Sequence, residues 1–103
     1  MWAQLIKMRL RPEREQDLAG VLDQIHALEQ PGSGLLRTIT MRDQSDPSAV
    51  YTLVVFDSEE KARAREQDPR RQEGLKSAQA VMAEVFDGAP EFVDLTVVQD
   101  VSP

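Results

Sequence analysis

The sequence predicts a single α+β domain of β-α-β-β-α-β order, with its four strands in one antiparallel sheet. Three observations carry the prediction. Two-residue alternation of apolar side chains marks residues 2–10, 35–42, 50–56 and 92–101, and three- and four-residue recurrence marks 18–28 and 58–86. Clusters of Gly, Pro, Asp and Ser separate these runs. A chain of 103 residues supports one hydrophobic core and not two, so residues 1–103 read as one domain.

In the first strand Trp2, Gln4, Ile6, Met8 and Leu10 share one face, and Ala3, Leu5, Lys7 and Arg9 the other. Pro12 ends it, having no N–H for a ladder. Leu18, Val21, Leu22, Ile25 and Leu28 then form the stripe of an amphipathic helix, which Gln30-Pro31-Gly32-Ser33-Gly34 terminates. Leu35–Arg42 and Val50–Phe56 are rich in β-branched and aromatic residues, and the turn-forming run Asp43–Ser48 joins them as a hairpin. A short helix over Ser58–Gln67 is expected to be capped by Asp57, with Glu60 reaching back. Asp68-Pro69 is a cap and first-turn proline, so a second helix follows from Pro69 to Phe86, burying Leu75, Ala78, Met82, Val85 and Phe86. Asp87-Gly88-Ala89-Pro90 stops it, and Phe92–Val101 alternates as the last strand.

Right-handed crossovers place the first and last strands side by side, expected at the centre of the sheet, with the helices on one face. The other face is not polar. Val50, Val54 and Phe56 oppose Tyr51, Leu53 and Val55, and Val93, Leu95, Val97 and Val101 oppose Phe92 and Val98. A sheet open to water on one side carries a polar row there. Both faces therefore need cover, and a second copy of the chain supplies it most economically, which predicts a homodimer.

Bulk properties exclude several functions. No run approaches the roughly 20 apolar residues of a membrane helix. Met1–Lys7 lacks a basic region followed by an apolar stretch, so no signal peptide is expected. There is no cysteine, hence no disulfide and no thiolate chemistry, and the expected location is cytoplasmic. A net charge of −6 argues against nucleic-acid binding. No metal-ligand cluster is visible, and no cofactor is expected.

The order of elements, the Gln30-Pro31-Gly32 turn, and Tyr51-Thr52-Leu53-Val54-Val55-Phe56-Asp57-Ser58-Glu59-Glu60-Lys61-Ala62 together resemble the ferredoxin-like, dimeric α/β-barrel superfamily, and within it the antibiotic-biosynthesis-monooxygenase-like branch. The resemblance runs from Trp2 to Val101 and implies either of two functions. One is cofactor-independent oxygenation of a phenol- or quinol-type aromatic whose own anion reduces oxygen, with the protein supplying desolvation, orientation and a hydrogen bond. The other is a non-catalytic dimer that binds a small ligand or a partner. Haem-degrading members are similar in outline but carry Asn, Trp and His where Lys7, Arg65 and Gly74 stand here, so haem degradation is not expected.

Several residues are candidates for chemistry. His26 is the only side chain that ordinarily titrates near neutrality, and it reads as a base or as a plain edge histidine. Trp2 and Tyr51, with Phe56, Phe86 and Phe92, line an aromatic pocket between sheet and helices or simply build the core. Gln4, Arg37, Thr52 and Thr96 interrupt apolar faces, and so mark a cavity or pair across the dimer interface. The run from Lys61 to Arg71 is interleaved with Glu and Asp. It reads as a solvated face with pairs such as Glu59–Arg63 and Arg70–Glu73, or as an anion site built on Arg65 and Arg70 near the Pro69 break.

Overall fold

Each expected element forms in the computed structural model, which describes residues 1–103. The strands are β1 (Trp2–Arg9), β2 (Leu35–Arg42), β3 (Ala49–Phe56) and β4 (Glu91–Thr96). The helices are α1 (Leu18–His26), introduced by a 3-10 turn at Glu15–Asp17, then α2 (Glu59–Glu66) and α3 (Pro69–Val85). The sheet is four-stranded and antiparallel, in the order β2-β3-β1-β4.

The first and last strands are neighbours, but they are not both central. β3 takes one edge of β1 along its whole length, from Trp2 opposite Phe56 to Arg9 opposite Ala49. That leaves β4 the other edge, with nothing beyond it, so the centre is β1 and β3. β4 also ends at Thr96, short of Val101. Thr96 stands opposite Trp2, the first residue of β1, and Val97 onward finds no further rung. Val98 and Val101 are accordingly exposed.

Caps set the helix starts. Ser58, rather than Asp57, caps α2: its backbone is extended (φ −155°, ψ 158°) and its Oγ accepts the Lys61 N–H. Asp57 instead accepts Lys61 Nζ at 2.9 Å. At α3, Asp68 accepts the Arg70 N–H at 2.9 Å and Pro69 opens the helix, as expected. Gly34 has a left-handed φ of 85° and lies against Lys61, where a Cβ would come within 2.7 Å of that side chain; this brings the turn after α1 close to α2.

The apolar core is divided. At one end of the sheet Leu10, Leu18, Val21, Val50, Val85 and Phe86 pack together, with Val50 and Val85 fully buried. At the other end Trp2, Val54, Phe56 and Ala62 form a second cluster, with the Trp2 and Phe56 rings tilted at 6.1 Å. Cross-strand register aligns three rows on the face away from the helices: Met41–Tyr51–Lys7–Glu91, Ile39–Leu53–Leu5–Val93 and Arg37–Val55–Ala3–Leu95. The middle row is wholly aliphatic. No helix is long and apolar enough to cross a membrane.

Candidate functional site

Between the two core clusters the helices stand away from the sheet and leave an open cavity of about 1090 Å³. Its floor is set by register. Thr40, Thr52, Ile6 and Phe92 form one cross-strand row, and Thr38, Val54, Gln4 and Asp94 the next. The walls come from α1 (Leu22, Ile25, His26) and α3 (Arg71, Leu75, Met82), and Arg63 and Arg65 of α2 stand at the Trp2 end. The surface of the cavity is mainly apolar, as in small-molecule sites, but charged side chains border much of it.

The polar groups fall into three sets. On the floor, the hydroxyls of Thr40 and Thr52 are 3.0 Å apart, and Thr52 is the buried polar residue of the core. At one side, Gln4 Nε2 donates to Asp94 Oδ1 at 2.9 Å, because the register sets them directly opposite each other, and Arg63 donates to Asp94 Oδ2 at 2.7 Å. The Gln4 amide and then the Arg63 guanidinium hold the Asp94 carboxyl below the usual carboxylate range. Arg63 also lies 5.0 Å above the Trp2 ring.

The third set joins the turn after α1 to the α2–α3 junction. Arg65 grips Glu29 with both arms, at 2.6 Å from Nη2 and 2.9 Å from Nε, and its guanidinium lies 5.1 Å from the Phe56 ring. Burial works to raise the Glu29 carboxyl, but hydrogen bonding from Arg65 and the charges of Arg65 and Arg71 outweigh it and hold the group below its usual value. Arg71 comes only within 3.8 Å of Glu29, and its buried Nη1 has no hydrogen-bond partner. On the far side of this set is a smaller polar cleft of about 190 Å³, between Gln30–Ser33 and the Asp68-Pro69 break.

The predicted residues divide sharply. Gln4 and His26 border the cavity, His26 exposed at the end of α1. Trp2 is buried beside it, in the core with Phe56. Tyr51 is not in the cavity: it stands opposite Lys7 and Met41 on the face away from the helices, since its neighbours Val50 and Thr52 take the helix side. Gln4 and Thr52 do not reach the open face, so they mark the cavity and pair within the chain. Arg37, exposed on edge strand β2, stands opposite Val55 and touches only the rim. Thr96 lies at the end of β4. Arg65 and Arg70 do not form a free anion site, because Arg65 is committed to Glu29 and Arg70 to Asp68 at 2.9 Å. Arg70 pairs with Asp68 rather than Glu73, whereas the expected Glu59–Arg63 pair forms at 3.2 Å. Lys7 faces away from the cavity, and Gly74 abuts Leu28. No three His, Cys, Asp or Glu come together as metal ligands would.

Arg71 was missed from sequence, although a signal for it exists. It precedes Leu75 by four residues and so continues the Leu75, Ala78, Met82 stripe, a charge on the helix face that otherwise buries.

No family model matches the sequence, and no curated protein is similar to it. Solved structures are. A variant of SnoaB, a cofactor-independent oxygenase from Streptomyces nogalater, matches with a TM-score of 0.74 over 99% of this chain and 97% of that one, at 13% identity. The chain has the antibiotic-biosynthesis-monooxygenase fold. A Bordetella bronchiseptica protein assigned by name to these monooxygenases shares that fold at TM-score 0.75, covering 95% of this chain and 97% of its own, with 16% identity. One from Chloroflexus aurantiacus, similarly named, matches at 0.67 over 99% and 98%, with 24% identity. At such identities the likeness concerns the ferredoxin-like α+β fold, and the chemistry rests on the cavity.

Proposed function

We propose that the chain binds a small electron-rich aromatic, of the phenol or quinol type, in the sheet–helix cavity and oxygenates it without a cofactor. The observation that carries this is the cavity itself. It is slightly larger than the roughly 300–1,000 Å³ usual for small-molecule sites. Its mainly apolar surface carries hydroxyl, amide and imidazole groups suited to ring oxygens, beside charged side chains such as Arg63, Arg71 and Asp94. The fold shared with a cofactor-independent oxygenase supports the reading.

In this scheme His26 accepts a phenolic proton, and the resulting anion passes one electron to oxygen. The two radicals combine at ring carbon to give a hydroperoxide. Loss of water then leaves a new carbonyl, so a dihydroxybenzene and O₂ become a hydroxyquinone and one water, with all reducing electrons drawn from the substrate. In the same scheme the Thr40–Thr52 hydroxyl pair and the Gln4 amide, which border the cavity, orient the ring oxygens. Oxygen-electrode measurements with a panel of dihydroxyaromatics test the reading: one O₂ consumed per substrate, with no peroxide released, is expected. His26→Ala is expected to slow that uptake at least tenfold and leave binding intact.

The second reading is a binding module without turnover. It is favoured by the way Gln4, Asp94 and Arg63 spend their hydrogen bonds on one another. Binding without oxygen uptake, unchanged by His26→Ala, selects it. In either case we propose that two copies associate through the aliphatic face centred on Leu5, Ile39, Leu53 and Val93.

A further inference from the structure

We infer that the ligand of this cavity is an aromatic bearing a carboxylate, and that Arg71 is the residue that recognises it. The inference rests on the reading of the cavity as an aromatic-binding site, and it starts from a local mismatch of charge. Glu29 is one carboxylate between two guanidiniums, and Arg65 takes both of its oxygens. The neighbouring acids hydrogen-bond elsewhere, Asp68 with Arg70 and Glu66 with Arg63, which Glu59 and Asp94 share. Glu66 therefore acts on Arg71 only as a charge at longer range. Arg71 is left with a side chain only 13% exposed and a buried Nη1 that has no hydrogen-bond partner. Burial, and after it the like charge of Arg65, press against its protonated form.

A cation this deeply placed, paired only at 3.8 Å and without a hydrogen bond to Nη1, is costly. A buried ion pair is seldom retained for stability, since apolar residues of equal volume serve the fold as well or better. A chain of net charge −6 has carboxylates to spare, yet the one nearest this group, Glu29, stays 3.8 Å from Nη1 and gives both of its oxygens to Arg65. A ligand carboxylate in the cavity supplies the missing hydrogen bonds once the guanidinium turns its fork toward it, since Nη1 is itself covered by protein. A single guanidinium without a hydrogen-bonded partner matches a monoanion, and with the neighbouring Arg65 and Arg70 already committed a phosphate dianion would find no second donor. The planar fork of arginine fits a carboxylate with two parallel hydrogen bonds. Leu75 and Met82 continue the Arg71 face of α3 along the cavity wall, so a group held by Arg71 carries its ring onto apolar surface.

Titration calorimetry with 2,5-dihydroxybenzoate and hydroquinone, on the wild type and on Arg71→Met, tests this. The expected result is a preference for the carboxylate of roughly tenfold or more in the wild type, the worth of one charged hydrogen-bonded pair. In Arg71→Met that preference is expected to vanish, hydroquinone affinity to stay the same, and the melting temperature not to fall. Arg71→Lys keeps the charge but loses the fork, and a several-fold smaller preference is expected; if the Met variant does not fold, this one decides. Hydroquinone binding with no carboxylate preference overturns the role of Arg71 while the cavity reading stands. An undiminished preference in either variant, or equal loss of both ligands in Arg71→Met, overturns it likewise. If neither probe binds the wild type, both readings fall.

Discussion

Glu29 is the residue on which the charged side of the cavity depends, because it alone offsets Arg65 and partly offsets Arg71. Glu29→Gln removes that charge from a site where both partner side chains are about 15% exposed, and about 2 kcal/mol of stability at neutral pH is expected to go with it, read by urea denaturation. The pH dependence has a definite sign. The Glu29 carboxyl lies below its ordinary value of 4.5 in the folded chain, so its contribution is complete above that value and is lost as pH falls through the folded one. The wild type should therefore lose stability from pH 6 to pH 3 more steeply than Glu29→Gln. At this scale the sequence was only partly readable. His26 and Gln4 could be found because each is an anomaly in a regular pattern. Tyr51 was misplaced because alternation separates two faces without saying which one the helices cover, and Arg71 was hidden in a helix start where charges of both signs interleave.

Among the elements, α2 is the least secured by burial, with Ala62 as its buried residue. It relies on the Ser58 cap and on surface pairs such as Lys61–Asp57 and Arg63–Glu59, each worth a few tenths of a kcal/mol. Ser58→Ala is thus expected to cost about 1 kcal/mol, and Ser58→Gly much less, measured as a shift in the denaturation midpoint. By contrast Val85→Ala, in the fully buried cluster at the other end, is expected to cost about 2 kcal/mol. Most element boundaries were legible because periodicity and caps are local properties. Two were not, for physical reasons. β4 stops where its ladder partner does, a fact of register rather than of Phe92–Val101 itself. The cap moved from Asp57 to Ser58 because backbone geometry, not residue type, decides which oxygen faces the free amides.

For the whole molecule, the aliphatic row Ile39–Leu53–Leu5–Val93 is the feature that asks for a second copy. Light scattering is expected to give about 23 kDa, twice the 11.6 kDa of the chain, and Leu53→Asp to return it to the single-chain mass with its circular dichroism unchanged. The order of elements and the two-faced sheet could be read from sequence because both follow from alternation. The cavity could not, since a gap between two clusters depends on how far α1 and α3 stand from the sheet. That divided core also bears on how the molecule opens. With one apolar cluster around Val50 and Val85 and another around Phe56, and mainly strand backbone between them, the α2 end is free to exchange its amide hydrogens at lower cost than the α1–α3 end. A guest seated between the two would touch both and tie their fluctuations together. Occupancy would then appear as slowed hydrogen exchange in α2 and a higher melting temperature, rising with guest concentration, which makes thermal shift a practical way to find the natural guest.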